Sequence, residues 1–89
     1  MPSRTLPVVN KLGMHARAAS KFVTVANRFG ATVRVRRESK EADGKSIFGV
    51  LSLGAARGTA IEVEAEGDDA DAALDALEAL LADRFGEDE

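Results

Sequence analysis

The chain of 89 residues contains no cysteine, tryptophan or tyrosine and only one histidine. Without cysteine there is no disulfide framework, and a single histidine leaves too few ligands for a typical zinc or copper site. No local signature of a serine nucleophile occurs. The apolar runs are too short to span a bilayer, and the N-terminal segment lacks the apolar stretch of a signal peptide. We therefore expect a cytoplasmic protein without a cofactor, a metal or a membrane partner.

The charge is small overall but unevenly distributed along the chain. Twelve lysines and arginines against 15 acidic residues give a formal net charge of -3, which argues against a general nucleic-acid binder. Basic residues concentrate between positions 4 and 45, and acidic residues between positions 62 and 89. An acidic partner is therefore expected to dock on the N-terminal half.

Hydrophobic periodicity predicts one domain of alternating strands and helices. Pro7 restricts the first strand to a sheet edge. Gly30 is expected to end the first helix in a left-handed conformation. Residues 87–89 are expected to be a frayed tail. The predicted elements are strands over Thr5–Asn10, Thr32–Arg36, Lys40–Ala42 and Ala60–Glu66, and helices over Ala16–Phe29, within Ser46–Gly54, and from a capping Asp68 or Asp69 onward.

This order of elements predicts an α+β open-faced sandwich. A four-stranded, mainly antiparallel sheet would carry three helices on one face, with the final strand inserted between the first and second. A nucleic-acid module is a rival, suggested by the arginines of the second strand. It lacks sheet-surface aromatic residues for base stacking, and Glu62 and Glu64 offset Arg34 and Arg36. A small hydrolase of the acylphosphatase type is another rival. The chain lacks the glycine-rich phosphate loop of such enzymes, because only Gly13 precedes the first helix.

His15 lies where a strand ends and a helix begins. The first amides of a helix have no intrahelical acceptors and stand at the positive end of its dipole, so they bind anions. Imidazole is a nucleophile near neutral pH. A phosphoryl group on His15 could be held by the backbone amides of Ala16 and Arg17 and by the guanidinium of Arg17. Two interpretations remain open at this point: a capping or surface histidine, and a phosphoryl acceptor.

Two motifs place the chain beside a known family. Leu12-Gly13-Met14-His15-Ala16-Arg17 precedes the first helix, and Gly44-Lys45-Ser46-Ile47-Phe48-Gly49-Val50-Leu51-Ser52-Leu53-Gly54 surrounds the second. With these motifs the chain resembles, over nearly its whole length, the HPr family of histidine-containing phosphocarriers of the bacterial phosphoenolpyruvate-dependent phosphotransferase system.

The resemblance implies a function for three residues. His15 would accept a phosphoryl group on Nδ1 from phosphorylated Enzyme I and pass it to an EIIA-type protein, with Arg17 as its charge partner. The protein would be a stoichiometric carrier, acting as a monomer, and not an enzyme. Ser46 matches the family's regulatory serine, which an HPr kinase/phosphorylase modifies; the alternative is a plain helix N-cap.

The partner-docking surface is expected beside His15. Phe48 lies off the helical face that Ile47 and Leu51 share, which predicts either an exposed apolar group for docking or a core phenylalanine. The residues expected at this surface are Ala18, Lys21, Ile47, Phe48 and Leu51. Ala18 also departs from the family, which usually has proline there. The sequence around it resembles carriers of the nitrogen-related branch, so a regulatory relay remains an alternative to sugar uptake.

Overall fold

The computed structural model describes residues 2–87 as a single sheet covered by helices. The sheet order is β1-β4-β2-β3, and every neighbouring pair is antiparallel. The predicted α+β open-faced sandwich is confirmed, including the edge position of the first strand and the insertion of the last. The elements are β1 (Ser3–Pro7), α1 (Ala16–Ala26), β2 (Thr32–Arg37), β3 (Lys40–Asp43), α2 (Ile47–Ser52), β4 (Ala60–Glu66), α3 (Ala70–Ala82) and a C-terminal turn (Arg84–Gly86).

Alternation along the strands separates a buried face from an open one. Val33 and Val35 of β2 are buried, and so are Ile61, Val63 and Ala65 of β4. The residues between them point to the open face, because successive side chains of a strand alternate between the two sides. The helices α1 and α3 supply the other half of the core through Phe22, Leu74, Leu77 and their neighbours.

The open face carries a network of ion pairs. Arg34 lies opposite Glu64, and Arg36 opposite Glu62, as the alternation predicts. Arg36 contacts Glu62 at 2.9 Å and Glu41 at 2.7 Å. Hydrogen bonds from Arg36 and Arg34 lower the pKa of the Glu41 carboxyl. Acidic side chains therefore neutralise the arginines that suggested a nucleic-acid surface.

Three of the predicted local details are wrong. The first strand ends at Pro7, not at Asn10. The first helix ends at Ala26, and Gly30 does not have a positive φ. Asp69 is the N-cap residue of α3, but its carboxylate makes no capping hydrogen bond. It accepts hydrogen bonds from the backbone amides of Gly30 at 2.9 Å and Ala31 at 2.8 Å. This long-range contact shapes the turn after α1, which local sequence patterns could not show.

No helix within residues 2–87 is long and apolar enough to cross a membrane.

Candidate functional site

A tight loop after β1 sets the position of His15. Gly13 has a φ of 66° and lies against the backbone of the segment after α2, where an added Cβ would come within 2.6 Å of the Ala55 carbonyl oxygen. The amide of Met14 donates to that same oxygen at 2.8 Å, and the amide of His15 donates to the Gly13 carbonyl at 3.0 Å. Met14 is buried. The chain therefore enters α1 in one fixed orientation, with His15 as the N-cap residue, as predicted.

Hydrogen bonds to both ring nitrogens define the protonation of His15. The backbone amide of Arg17 donates to Nδ1 at 3.2 Å, and Oε2 of Glu87 lies 2.5 Å from Nε2. An amide can only donate, so Nδ1 carries no proton. An ionised carboxylate can only accept, so Nε2 carries the proton. The site thus presents a neutral imidazole whose Nδ1 lone pair lies at the helix N-terminus.

Glu87 lies between two hydrogen-bond donors. Its Oε2 accepts from His15, and its Oε1 accepts from Nδ2 of Asn10 at 3.1 Å. The hydrogen bond with His15 is the largest influence on the pKa of the Glu87 carboxyl and lowers it; burial opposes this, and Asn10 and Lys21 lower the pKa further. Glu87 is therefore ionised throughout the neutral range, and its contribution to stability is lost only when acid protonates it.

The C-terminal turn brings Glu87 to the histidine. Arg84, Phe85 and Gly86 all have positive φ, at 57°, 55° and 78°, which reverses the chain after α3. Phe85 is 1% exposed and anchors the turn in the core, and the amine of Lys21 donates to its carbonyl oxygen. The prediction of a frayed tail is therefore wrong for Glu87. Residues 88 and 89, the rest of that predicted tail, lie outside the described residues.

The helix N-terminus beside His15 leaves cationic and amide groups available to an anion. Ala16 and Arg17, the residues predicted to hold phosphate, begin α1 and are both exposed. Within residues 2–87 the guanidinium of Arg17 forms no ion pair. A group added to Nδ1 would displace the Arg17 amide from the ring nitrogen, and that amide could then donate to the new oxygens.

Ser46 is the N-cap residue of α2. Its Oγ accepts a hydrogen bond from the Gly49 amide at 3.1 Å, and its own amide donates to the Asp43 carbonyl at 3.1 Å. Ser46 therefore caps α2, an arrangement that fits both the capping and the regulatory interpretation. Its half-buried position beside the open start of a helix is compatible with a phosphate there as well.

The residues expected at the docking surface divide by exposure. Phe48 is 85% exposed, so the core interpretation of this side chain is wrong, and Ile47 is exposed beside it. Leu51 is partly buried, and Lys21 is half-buried with its amine on the Phe85 carbonyl. Ala18 is fully buried, so the expectation that its side chain contacts a partner is wrong. It packs in the core because it lies on the inner face of α1.

Sequence analysis missed three residues of the site region. Glu87 and Asn10 contact one another across 77 positions of sequence, which no local pattern reveals. The one available signal was Phe85, an apolar residue after the last helix whose burial pulls the chain back. Leu12 lies in the loop that leads to His15 and is 68% exposed, so it is a further apolar side chain open to a partner.

Fold and site together define a class of protein: a small open-faced α+β domain that presents one unprotonated imidazole nitrogen at a helix N-terminus. The family model described as "PTS HPr component phosphorylation site" matches residues 2–83. The chain belongs to the HPr family, the phosphocarrier proteins of the phosphotransferase system.

Three comparisons support this assignment. The chain is 48% identical over 90 residues to the phosphocarrier protein HPr of Pseudomonas aeruginosa, with all of both chains covered. It is 42% identical over 84 residues to the phosphocarrier protein NPr of Shewanella violacea, covering 94% of this chain and 92% of that one. The crystal structure of HPr-C-His from Thermoanaerobacter tengcongensis superimposes with a TM-score of 0.95 at 39% identity over all of both chains.

Proposed function

We propose that this protein accepts a phosphoryl group on Nδ1 of His15 from phosphorylated Enzyme I and passes it to an EIIA-type protein. It acts as a stoichiometric carrier in the cytoplasm. After it passes a phosphoryl group on, the protein returns to its unphosphorylated form. The observation that carries the proposal is the unprotonated Nδ1 of His15 at the N-terminus of α1, where it accepts a hydrogen bond from the Arg17 amide. Membership of the HPr family supports the same assignment.

The geometry favours transfer in both directions. Nδ1 attacks the phosphorus without first losing a proton, since the proton of the neutral ring is on Nε2. The new oxygens would lie near the amides of Ala16 and Arg17, at the positive end of the helix, and the exposed guanidinium of Arg17 matches phosphate geometry. These contacts come from exposed residues, so the phosphoryl group would remain accessible to a second partner.

The partner surface would be the exposed apolar group of Leu12, Ile47 and Phe48 beside His15. Leu51 and Lys21 would line its edge. A few exposed apolar side chains mark a site for contact with another protein. Enzyme I and the acceptor protein would use it in turn, because both must reach the same histidine.

Incubation with phosphoenolpyruvate, magnesium and a heterologous Enzyme I, followed by intact mass, tests the assignment. The wild-type chain is expected to gain one acid-labile, alkali-stable phosphate, and His15→Ala is expected to gain none. Arg17→Lys keeps the charge but loses the planar fork, so it should slow transfer roughly tenfold with the fold intact. Phosphate on His15→Ala, or an adduct that survives acid, would show that another residue is the acceptor.

We propose that phosphorylation of Ser46 by an HPr kinase/phosphorylase regulates this reaction by charge. A phosphate at the start of α2 would add negative charge next to Ile47 and Phe48, where an acidic surface of Enzyme I would dock. The support is the position of Ser46, whose Oγ caps the helix immediately before these two exposed residues.

Ser46→Asp is expected to lower the initial rate of His15 phosphorylation several-fold at low salt, and high salt should shrink the difference. Ser46→Ala is the control, because it removes the cap without adding charge. The loss of the cap should lower the free energy of unfolding by about 1 kcal/mol. Phosphorylation of Ser46→Ala should remain close to wild type. Equal losses in the two variants would point to disturbed helix geometry and would contradict regulation by charge.

A further inference from the structure

We propose that Glu87, held in place by Asn10, is a positioning residue for phosphoryl transfer at His15. It fixes the proton on Nε2, leaves the Nδ1 lone pair free to react, and neutralises the positive ring that forms. The inference rests on the proposed function, since it explains how the same histidine is prepared.

The transfer step shows why a carboxylate is useful at Nε2. As the Nδ1 lone pair bonds to phosphorus, the bond between phosphorus and the donor breaks and its electron pair leaves with the donor. Nε2 keeps its hydrogen, so the ring of His15 becomes a cation. Oε2 of Glu87 is 2.5 Å from Nε2, and its negative charge therefore stabilises the ring as that cation develops. A carboxylate already in place needs no reorganisation during the step.

The carboxylate of Glu87 matches the two donors that converge on it. Nε2 of His15 and Nδ2 of Asn10 each donate to a separate oxygen of Glu87. A glutamine has one acceptor oxygen, so its amide hydrogens would face one of the two donors. A glutamate is thus the side chain of this length that satisfies both hydrogen bonds at once.

Asn10 is not explained by packing alone. It is fully buried, and its Oδ1 has no hydrogen-bond partner in the described part of the chain. A buried unpaired acceptor is unfavourable, and an apolar side chain would avoid that cost. What Asn10 supplies is its Nδ2 group, which donates to the Gly13 carbonyl at 2.8 Å and to Glu87 at 3.1 Å. One side chain therefore ties the His15 loop to the glutamate that orients the ring.

The charges around this contact favour the ionised glutamate. Lys21 of α1 lies close enough to lower the pKa of the Glu87 carboxyl, while its amine is held by the Phe85 carbonyl. Glu87 itself is only 19% exposed, so water screens the pair less than it would a surface ion pair. Because most of its side chain is covered, we expect docking on the exposed apolar residues to depend little on contact with Glu87.

The test compares the wild-type chain with Glu87→Gln and Glu87→Ala. Glu66→Gln is the matched control, because it removes an exposed carboxylate at the end of β4 away from the His15 loop. Nitrogen-15 NMR of the unphosphorylated proteins reports the tautomer without ambiguity, since His15 is the only histidine. Single-turnover transfer from phosphorylated Enzyme I, at increasing donor concentration, separates the saturating rate from the half-saturating concentration.

We expect the wild type and Glu66→Gln to hold the proton on Nε2 and to transfer at the same rate. Both Glu87 variants should show a measurable Nδ1-protonated fraction. Their saturating rates should fall roughly ten- to hundredfold, the effect of losing a charge-assisted hydrogen bond, with half-saturating concentrations changed less than about twofold. Thermal unfolding on the same samples confirms that the fold is intact.

A saturating rate within twofold of wild type in both Glu87 variants would overturn the proposal. So would a slower rate with unchanged His15 ring nitrogens, since Glu87 would then not act through the ring. Failure of the proposed function looks different: His15→Ala would still accept phosphate, or the wild type would accept none, whereas the tautomer measurement stands independently of transfer.

Discussion

Phe85→Ala is expected to destabilise the protein by about 3–5 kcal/mol, the usual cost of removing a buried phenylalanine ring. The ring is 1% exposed and belongs to the core between α1 and α3. A domain of this size is stable by only about 5–15 kcal/mol, so the loss is a large fraction of the total. The backbone strain at position 85, where φ is 55°, remains in the variant because alanine also has a Cβ. Denaturant unfolding measures the change through the midpoint at constant slope.

Phe48→Ala provides the matched control. It deletes the same ring from a position that is 85% exposed, so stability should change by no more than about 0.5 kcal/mol. The two variants should separate in function as well: Phe48→Ala should weaken partner binding, and Phe85→Ala should release Glu87 from His15. Similar unfolding midpoints for both variants would show that the C-terminal turn does not depend on this ring.

The elements that carry regular side-chain patterns could be predicted from the sequence. The alternation in β4 predicted the burial of Ile61, Val63 and Ala65. The lengths of the helical crossovers predicted that this strand lies between β1 and β2. His15 at the helix N-terminus was also predictable, because an N-cap is defined by its own neighbours in sequence. Such features depend on contacts within a few residues or on a simple period.

Features that depend on distant contacts were not predictable. Glu87 reaches His15 across 72 positions, and Asp69 reaches the amides of Gly30 and Ala31 across 39 and 38 positions. Each is a single charged side chain whose neighbours in sequence suggest only a solvated terminus or a helix cap. Ala18 also differs from the expectation: it is close to His15 in sequence, but its side chain lies on the inner face of α1 and is buried.

Gly13→Ala is expected to destabilise the protein by about 2–5 kcal/mol, through left-handed backbone strain and overpacking. The new Cβ would lie 2.6 Å from the Ala55 carbonyl oxygen and 2.9 Å from Cα of Ala56. Both are backbone atoms, so they cannot rotate away as a side chain would. Relief requires the loop itself to move, and the loop carries His15: the Gly13 carbonyl accepts hydrogen bonds from the His15 amide and from Asn10. Phosphoryl transfer should therefore slow by about tenfold or more even in the folded fraction.

Gly54→Ala distinguishes this collision from backbone strain. Gly54 also has a positive φ, 62°, but nothing lies within 4 Å of the position of its Cβ. It should cost only the strain of the left-handed conformation, about 1–2 kcal/mol, and leave transfer to His15 unchanged. Both substitutions stiffen the unfolded chain in the same way, so the difference in unfolding free energy between them isolates the contact with Ala55 and Ala56. Equal unfolding free energies and equal transfer rates for Gly13→Ala and Gly54→Ala would contradict this prediction. The loop would then rearrange at little cost, and its close approach to the segment after α2 would not hold His15 in place.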